Sequence, residues 1–220
     1  MSTTTTAIRL ELQYLPPVQY FSKFFCYDEV IIEQHENYQK GSYRNRCHIA
    51  GVNGLLRLSI PLESGKNQAM PIRDVKIAYA ENWQTHHWTS IRSAYGNAPF
   101  FEYYVDYLQP CFQQKVTYLF DWNIQLLSRL LQLLQLENYY QLSDAYQKVL
   151  ATNELDFRNG IFPKKKRQKA DSFFQTVSYP QVFEEKHGFI PNLSILDLLF
   201  CTGPQAALIL EQSVKLDFSS

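Results

Sequence analysis

At 220 residues the chain is within reach of a single domain. Hydrophobic residues make up 45% and charged residues 19%, which supplies apolar surface for a large core and excludes disorder as the default. The 21 basic and 21 acidic residues cancel, and a general nucleic-acid binder needs a net basic face that this balance does not provide.

Residues 1–6 are polar and read as a frayed tail. The N-terminus has no apolar core of a signal peptide, and no apolar run approaches the roughly 20 residues that span a bilayer. The expected compartment is the cytoplasm. "AIRLELQ" alternates Ile8, Leu10 and Leu12 with polar neighbours, a strand pattern. In "YLPPVQYFSKFF" the two prolines favour an extended Leu15 and a helix starting near Pro17. "EVIIEQ" is a short apolar strand. "CHIAGVNGLLRLSIPL" reads as a hairpin turning at Asn53-Gly54, "SGKNQAMP" as a flexible loop, and "DVKIAYA" as a further strand.

The period then changes. Trp83, His87 and Ile91 at spacing four mark a helix, with Asn82 expected to cap it and Gly96 to end it. "APFFEYYVDYLQP" is a second short helix. The stretch from Phe112 to Leu136 reads as the longest, with Val116, Phe120, Ile124, Leu127, Leu131 and Leu134 on one stripe. "FPKKKRQKADSFF" is a charged loop. "PNLSILDLLF" and "GPQAALILEQSV" close the chain as helices, the first capped by Asn192 or Ser194. The class is therefore α+β, with a small mixed or antiparallel sheet in the N-terminal third packed against a mainly helical C-terminal part.

Four blocks carry a family resemblance: "LQYLPPVQYFSKF" from Leu12, "IEQHENYQKGSYRNRCHI" from Ile32, "WQTHHWTSIRSAYGNAPFFEYY" from Trp83, and "YPQVF" followed by "GFIPNLSILDLLFCTGP" from Tyr179. Their order and spacing resemble the WbqC-like family of bacterial proteins over nearly the whole length, as one domain of residues 1–220. Where the family has an acidic pair, this chain has Gln34-His35 flanked by Glu33 and Glu36. Its opening Gln-Pro is here Gln13-Tyr14. The resemblance implies a setting in surface-polysaccharide assembly, notably O-antigen. It further implies an enzyme transferring an acyl or aminoacyl group to an amino sugar or nucleotide sugar. The alternative is a non-catalytic protein that binds sugar nucleotides or assembles the machinery.

Candidate residues follow. His87, at a position matched by the resemblance, can act as general base, or it can be a hydrogen-bonded histidine of an aromatic core. Glu33 and His35 share one strand face if the strand continues, and Asp197 can orient His87 or serve the first turn of its own helix. Lys40, Asn45 and Arg46 are candidates for gripping a phosphorylated or carboxylated substrate, with Tyr179 and Gln181 nearby. The basic run Lys164, Lys165, Lys166, Arg167 and Lys169 either holds an anion or is a solvated loop. Cys26, Cys47, Cys111 and Cys201 form no CxxC pair and read as reduced structural thiols, so no metal site is expected. No Gly-rich phosphate loop, HExxH or GxSxG is present. The residues name no cofactor and no oligomeric state. The expected partner is a small nucleotide-sugar or acyl-donor substrate.

Overall fold

The computed structural model describes residues 6–63, 69–136 and 140–215. The first five residues of the expected tail, and residues 64–68 of the expected flexible loop, lie outside them. Thr6 is held, its amide donating to the Asn153 carbonyl at 3.0 Å.

The chain opens β1 (Ala7–Glu11), α1 (Val18–Cys26), β2 (Glu29–Glu33), with β1 and β2 parallel. A parallel pair needs a crossover, and α1 provides it. An antiparallel hairpin follows, β3 (Arg46–Gly51) and β4 (Gly54–Ser59). Gly54 closes its turn at φ +97°, a conformation that disfavours a side chain. Next come α2 (Trp83–Tyr95), α3 (Phe101–Leu108) and α4 (Leu119–Leu133). Two short strands, β5 (Tyr140–Leu142) and β6 (Glu154–Asp156), then join the first sheet, giving the order β5-β2-β1-β6, parallel throughout. The chain closes with α5 (Glu184–His187), α6 (Ile195–Thr202) and α7 (Ala206–Gln212). The α+β class holds. The larger sheet is parallel and draws half of its strands from beyond residue 139.

Several expected elements move. "DVKIAYA" joins no sheet; Lys76 and Ile77 make only isolated bridges, to Tyr118 and Leu62. The longest helix begins at Leu119, because Gln109–Gln113 form a 3-10 turn and the following residues are extended. Asn82 makes no capping hydrogen bond.

The stretch before α6 is built around two caps. Ser194 Oγ accepts from the Leu196 amide at 3.4 Å at the start of α6. Asn192, at φ +55°, turns its Oδ1 to the Gln19 amide at 2.9 Å, so it serves the free N–H groups of α1 instead. Its Nδ2 donates to Gln19 Oε1 at 3.1 Å. One asparagine thus ties the closing segment to the first helix, which feeds the larger sheet.

The polar half of the β1 alternation is as buried as the apolar half. Register places Arg9, Glu11, Glu33, Glu154 and Asp156 on one face of the larger sheet, and Ile8, Leu10, Val30, Ile32 and Leu155 on the other. The apolar face packs into the main core. The charged face is closed over by the segments following β5 and β6. Among the described residues no helix is long and apolar enough to cross a membrane.

Replacing Asn192 by Ala removes the α1 cap and leaves a residue with a Cβ, and without the asparagine amide, in the left-handed region. Urea denaturation should show a loss of about 2 kcal/mol, with Asn192→Gly recovering part of it.

Candidate functional site

Ligands of open parallel sheets sit outside the carboxyl ends of the strands. At that edge this protein gathers its buried charges. Glu33, with no exposed surface, ends β2. Its Oε2 accepts from Arg9 Nη1 and Arg158 Nη1, each at 3.1 Å, and its Oε1 accepts from Ser143 Oγ at 2.7 Å and the His35 amide at 2.9 Å. Burial alone would raise its pKa, but the bonds from Ser143, His35 and Arg9 outweigh it and hold the carboxyl below its ordinary value. Arg9 Nε also donates to Glu154 at 2.6 Å. Arg158 grips Asp156 through both Nε and Nη2, at 2.9 and 2.8 Å, and lies 4.7 Å over the Tyr146 ring. Beside them Arg44, fully buried, forks onto Glu36 at 2.8 and 2.5 Å. Burial raises the Glu36 carboxyl, with Arg44 opposing it.

Above this layer lies a cleft of about 350 Å³. Its walls include His35, Glu36, Tyr146, Asp156, Arg158 and Asn159. Glu33 and Glu36 are engaged by their partners and Arg158 holds both oxygens of Asp156, so the groups the cleft presents are the exposed imidazole of His35, the Tyr146 ring, the paired Asp156 carboxylate (side chain 40% exposed) and the Asn159 side chain. Asn159 Oδ1 and Gln13 Oε1 are buried acceptors with no partner. Gln13 Nε2 donates to Glu11 at 2.6 Å, and Glu11 accepts from the backbone N–H of Asn159 at 2.7 Å. The cleft therefore offers acceptors and an aromatic ring, which suits hydroxyl and ammonium donors. Among the described residues no group of three or more His, Cys, Asp or Glu is placed to hold a metal.

The expected site residues do not share one site. Glu33 and His35 come together at the cleft. Asp197, Tyr179 and Gln181 also meet: the Tyr179 hydroxyl and Gln181 Nε2 donate to Asp197 Oδ2, and the Tyr95 hydroxyl donates to Oδ1, each at 2.9 Å. This network is buried, and burial raises the Asp197 carboxyl against the three donors. Asp197 does not orient His87. His87 lies in the aromatic core, edge-on to Trp83 at 5.1 Å, with Nδ1 2.8 Å from the Tyr14 hydroxyl. Burial pulls its pKa down to about 4, with neighbouring His86 adding to the effect and a backbone hydrogen bond at Ser59 opposing it. Asn45 is buried between the Tyr38 hydroxyl and the Ile60 carbonyl, Lys40 is exposed, and Arg46 lies on the β3–β4 hairpin. All four cysteines are free, and burial pushes every thiol pKa up, so none is an activated nucleophile.

Sequence reasoning missed Arg9, Glu36, Arg44, Asp156 and Arg158. The available signal was the charged half of two short alternating stretches, "AIRLE" and "ELDFR", brought side by side by the sheet.

Fold and site define an α+β protein with a polar cleft at the carboxyl edge of a parallel sheet. The chain belongs to the WbqC-like protein family, whose model matches residues 13–170 and 164–209. It is also similar to the uncharacterized protein Rv1507c of Mycobacterium tuberculosis (strain ATCC 25618 / H37Rv), with 26% identity over 217 residues, spanning 90% of this chain and 94% of that one. No solved structure matches it.

Two measurements check the charge assignments. Arg44→Ala strands a buried carboxylate and should cost about 3–5 kcal/mol in chemical unfolding. His87 titrates lower in the folded than in the unfolded state. Acid therefore favours unfolding between the ordinary imidazole pKa of about 6.5 and the folded value of about 4. Stability should fall by roughly 3 kcal/mol from this group across that window, and His87→Gln should flatten the slope there while leaving the pH 8 value nearer wild type.

Proposed function

We propose that the cleft binds an amino sugar and that the protein transfers an acyl or aminoacyl group to it during assembly of a bacterial surface polysaccharide, in the cytoplasm. The observation that carries this reading is the half-exposed Asp156 carboxylate, held by Arg158, beside the exposed Tyr146 ring, with the unpartnered Oδ1 of Asn159 in the same cleft. Sugar rings pack on aromatic faces, and their hydroxyl and ammonium groups seek such acceptors. The surface-polysaccharide setting is the one the family resemblance implies.

In this reading His35 is the general base, because its imidazole is exposed at the cleft whereas His87 is sealed by Trp83 and Tyr14. The Ser143 carbonyl, 3.1 Å from His35 Nε2, fixes the ring. The amine nitrogen of the sugar bonds to the acyl carbon of a thioester or acyl phosphate. His35 takes the amine proton, and the leaving group departs with its bonding electron pair. Glu33 acts at one remove, holding Arg158 and hence Asp156 in place. The second reading is a non-catalytic protein that binds sugar nucleotides or assembles the machinery without turnover.

Thermal-shift titration with glucosamine and related amino sugars tests the reading. Wild type should be stabilised, and Tyr146→Ala should lose the shift while its own melting temperature stays within a few degrees of wild type. His35→Ala should keep binding and lose turnover with an acyl donor. No stabilisation of wild type by any amino sugar, or an undiminished shift in Tyr146→Ala, refutes it.

A further inference from the structure

A second cavity, of about 380 Å³, lies between the β3–β4 hairpin, the loop following Gly160 and the segment leading into α6. Its walls include Tyr43, His48, Lys165, Lys169, Asp171 and Phe174. Asp171 is the one carboxylate among the lining residues, and it is already matched. Its Oδ2 lies 2.5 Å from Nζ of the buried Lys23 and accepts from Gln19 Nε2 at 2.7 Å.

The remaining charges are positive. Lys164, Lys165, Lys166, Arg167 and Lys169 have no carboxylate within ion-pair distance among the described residues. Hairpin register adds more. His48 pairs with Arg57 and Ala50 with Leu55, so Arg46, His48, Leu55 and Arg57 share one face, and His48 and Leu55 both line the cavity. Arg46 and Arg57 likewise have no ion-pair partner among the described residues, and Arg46 Nε is buried without a hydrogen bond. Both arginines help hold the His48 pKa below its ordinary value, after burial, which is the effect expected of clustered positive charge.

A chain with no net charge has thus gathered unmatched cations at this groove, Lys165 and Lys169 in its wall and Arg46 and Arg57 on the adjoining hairpin face. Crowded like charges are unfavourable unless an anion relieves them. We propose that this groove binds a nucleoside diphosphate: the diphosphate between Lys165, Lys169 and the hairpin cations, the base against the Tyr43 and Phe174 rings. The site stands apart from the amino-sugar reading, since it shares none of the cleft's lining residues.

Isothermal titration of the full chain with uridine diphosphate and with inorganic pyrophosphate tests this. Neither ligand carries a sugar, so the outcome is independent of the cleft. Both should bind at low ionic strength, uridine diphosphate more tightly, and both should weaken as salt rises. Lys165 and Lys169 are exposed, so Lys165→Glu/Lys169→Glu should fold normally and lose about tenfold in affinity per lysine. Lys148→Glu, a charge reversal at an exposed lysine outside the groove, should bind as wild type. Absence of binding by both ligands, or an unchanged double variant, overturns the site; equal affinity for the two ligands overturns the role of the base.

Discussion

The constraint on which the rest of this structure depends is that a charged sheet face has been taken out of water. Arg9, Glu11, Glu33, Glu154 and Asp156 alternate with core residues on three neighbouring strands. On an ordinary half-buried sheet they would be solvated. Here all but Asp156, at the rim of the cleft, are covered, so each buried charge must find a partner or shift its pKa. The protein solves this by crossing partners between strands: Arg9 on β1 reaches Glu33 on β2 and Glu154 on β6, and Arg158 closes the circuit through Asp156. Strand order and ion pairing therefore specify each other. Moving β6 to another edge would strand Arg9's second partner, and slipping the register by one residue would put every one of these charges into the apolar core.

The same network prepares the cleft. Because Glu33 uses both oxygens on internal donors and Arg158 is engaged by Glu33, Asp156 and the Gln147 carbonyl, neither is free to rearrange around a ligand without leaving a buried charge unmatched. Their contribution is rigidity. The groups left to meet a ligand, His35, Tyr146, Asp156 and Asn159, are each anchored from behind by this layer or by the backbone. Such preorganisation lowers the ordering cost of binding.

How much of this was legible in the sequence depended on whether the deciding information was local. The strands at Ala7–Glu11 and Glu29–Glu33, the α1 helix after the prolines, the hairpin and the helices with clear periodicity were readable because pattern and punctuation sufficed. The parallel sheet was not, because β5 and β6 are three-residue strands that exist only as additions to β1 and β2. The alternation of "AIRLE" was correctly read as a strand, but nothing local says that its polar face would be covered. His87 shows the same limit from the other side. Its spacing fixed its helix face, and that face turned out to point into Trp83 and Tyr14, where burial and not reactivity governs the imidazole. Asn192 was read as a cap, and it is one, but of a helix more than 160 positions earlier in the chain.

The loop after β6 shows how one segment serves two unlike surfaces. Asp156 at the end of β6, with Arg158 and Asn159 just after it, lines the polar cleft, whereas Pro163, Lys165 and Lys169 line the basic groove. A loose cationic loop would collapse onto the neighbouring carboxylates and erase the separation. Three contacts prevent this. The Phe157 ring packs against Gly160 so closely that an added Cβ would lie 2.7 Å from it. Ile161 and Phe162 are buried, and Arg167 stacks on the Phe162 ring at 3.9 Å. Lys169 Nζ is held by the Asp156 backbone carbonyl, not by its carboxylate. The loop is thus pinned along its length by apolar and backbone contacts, which leaves its charges unspent.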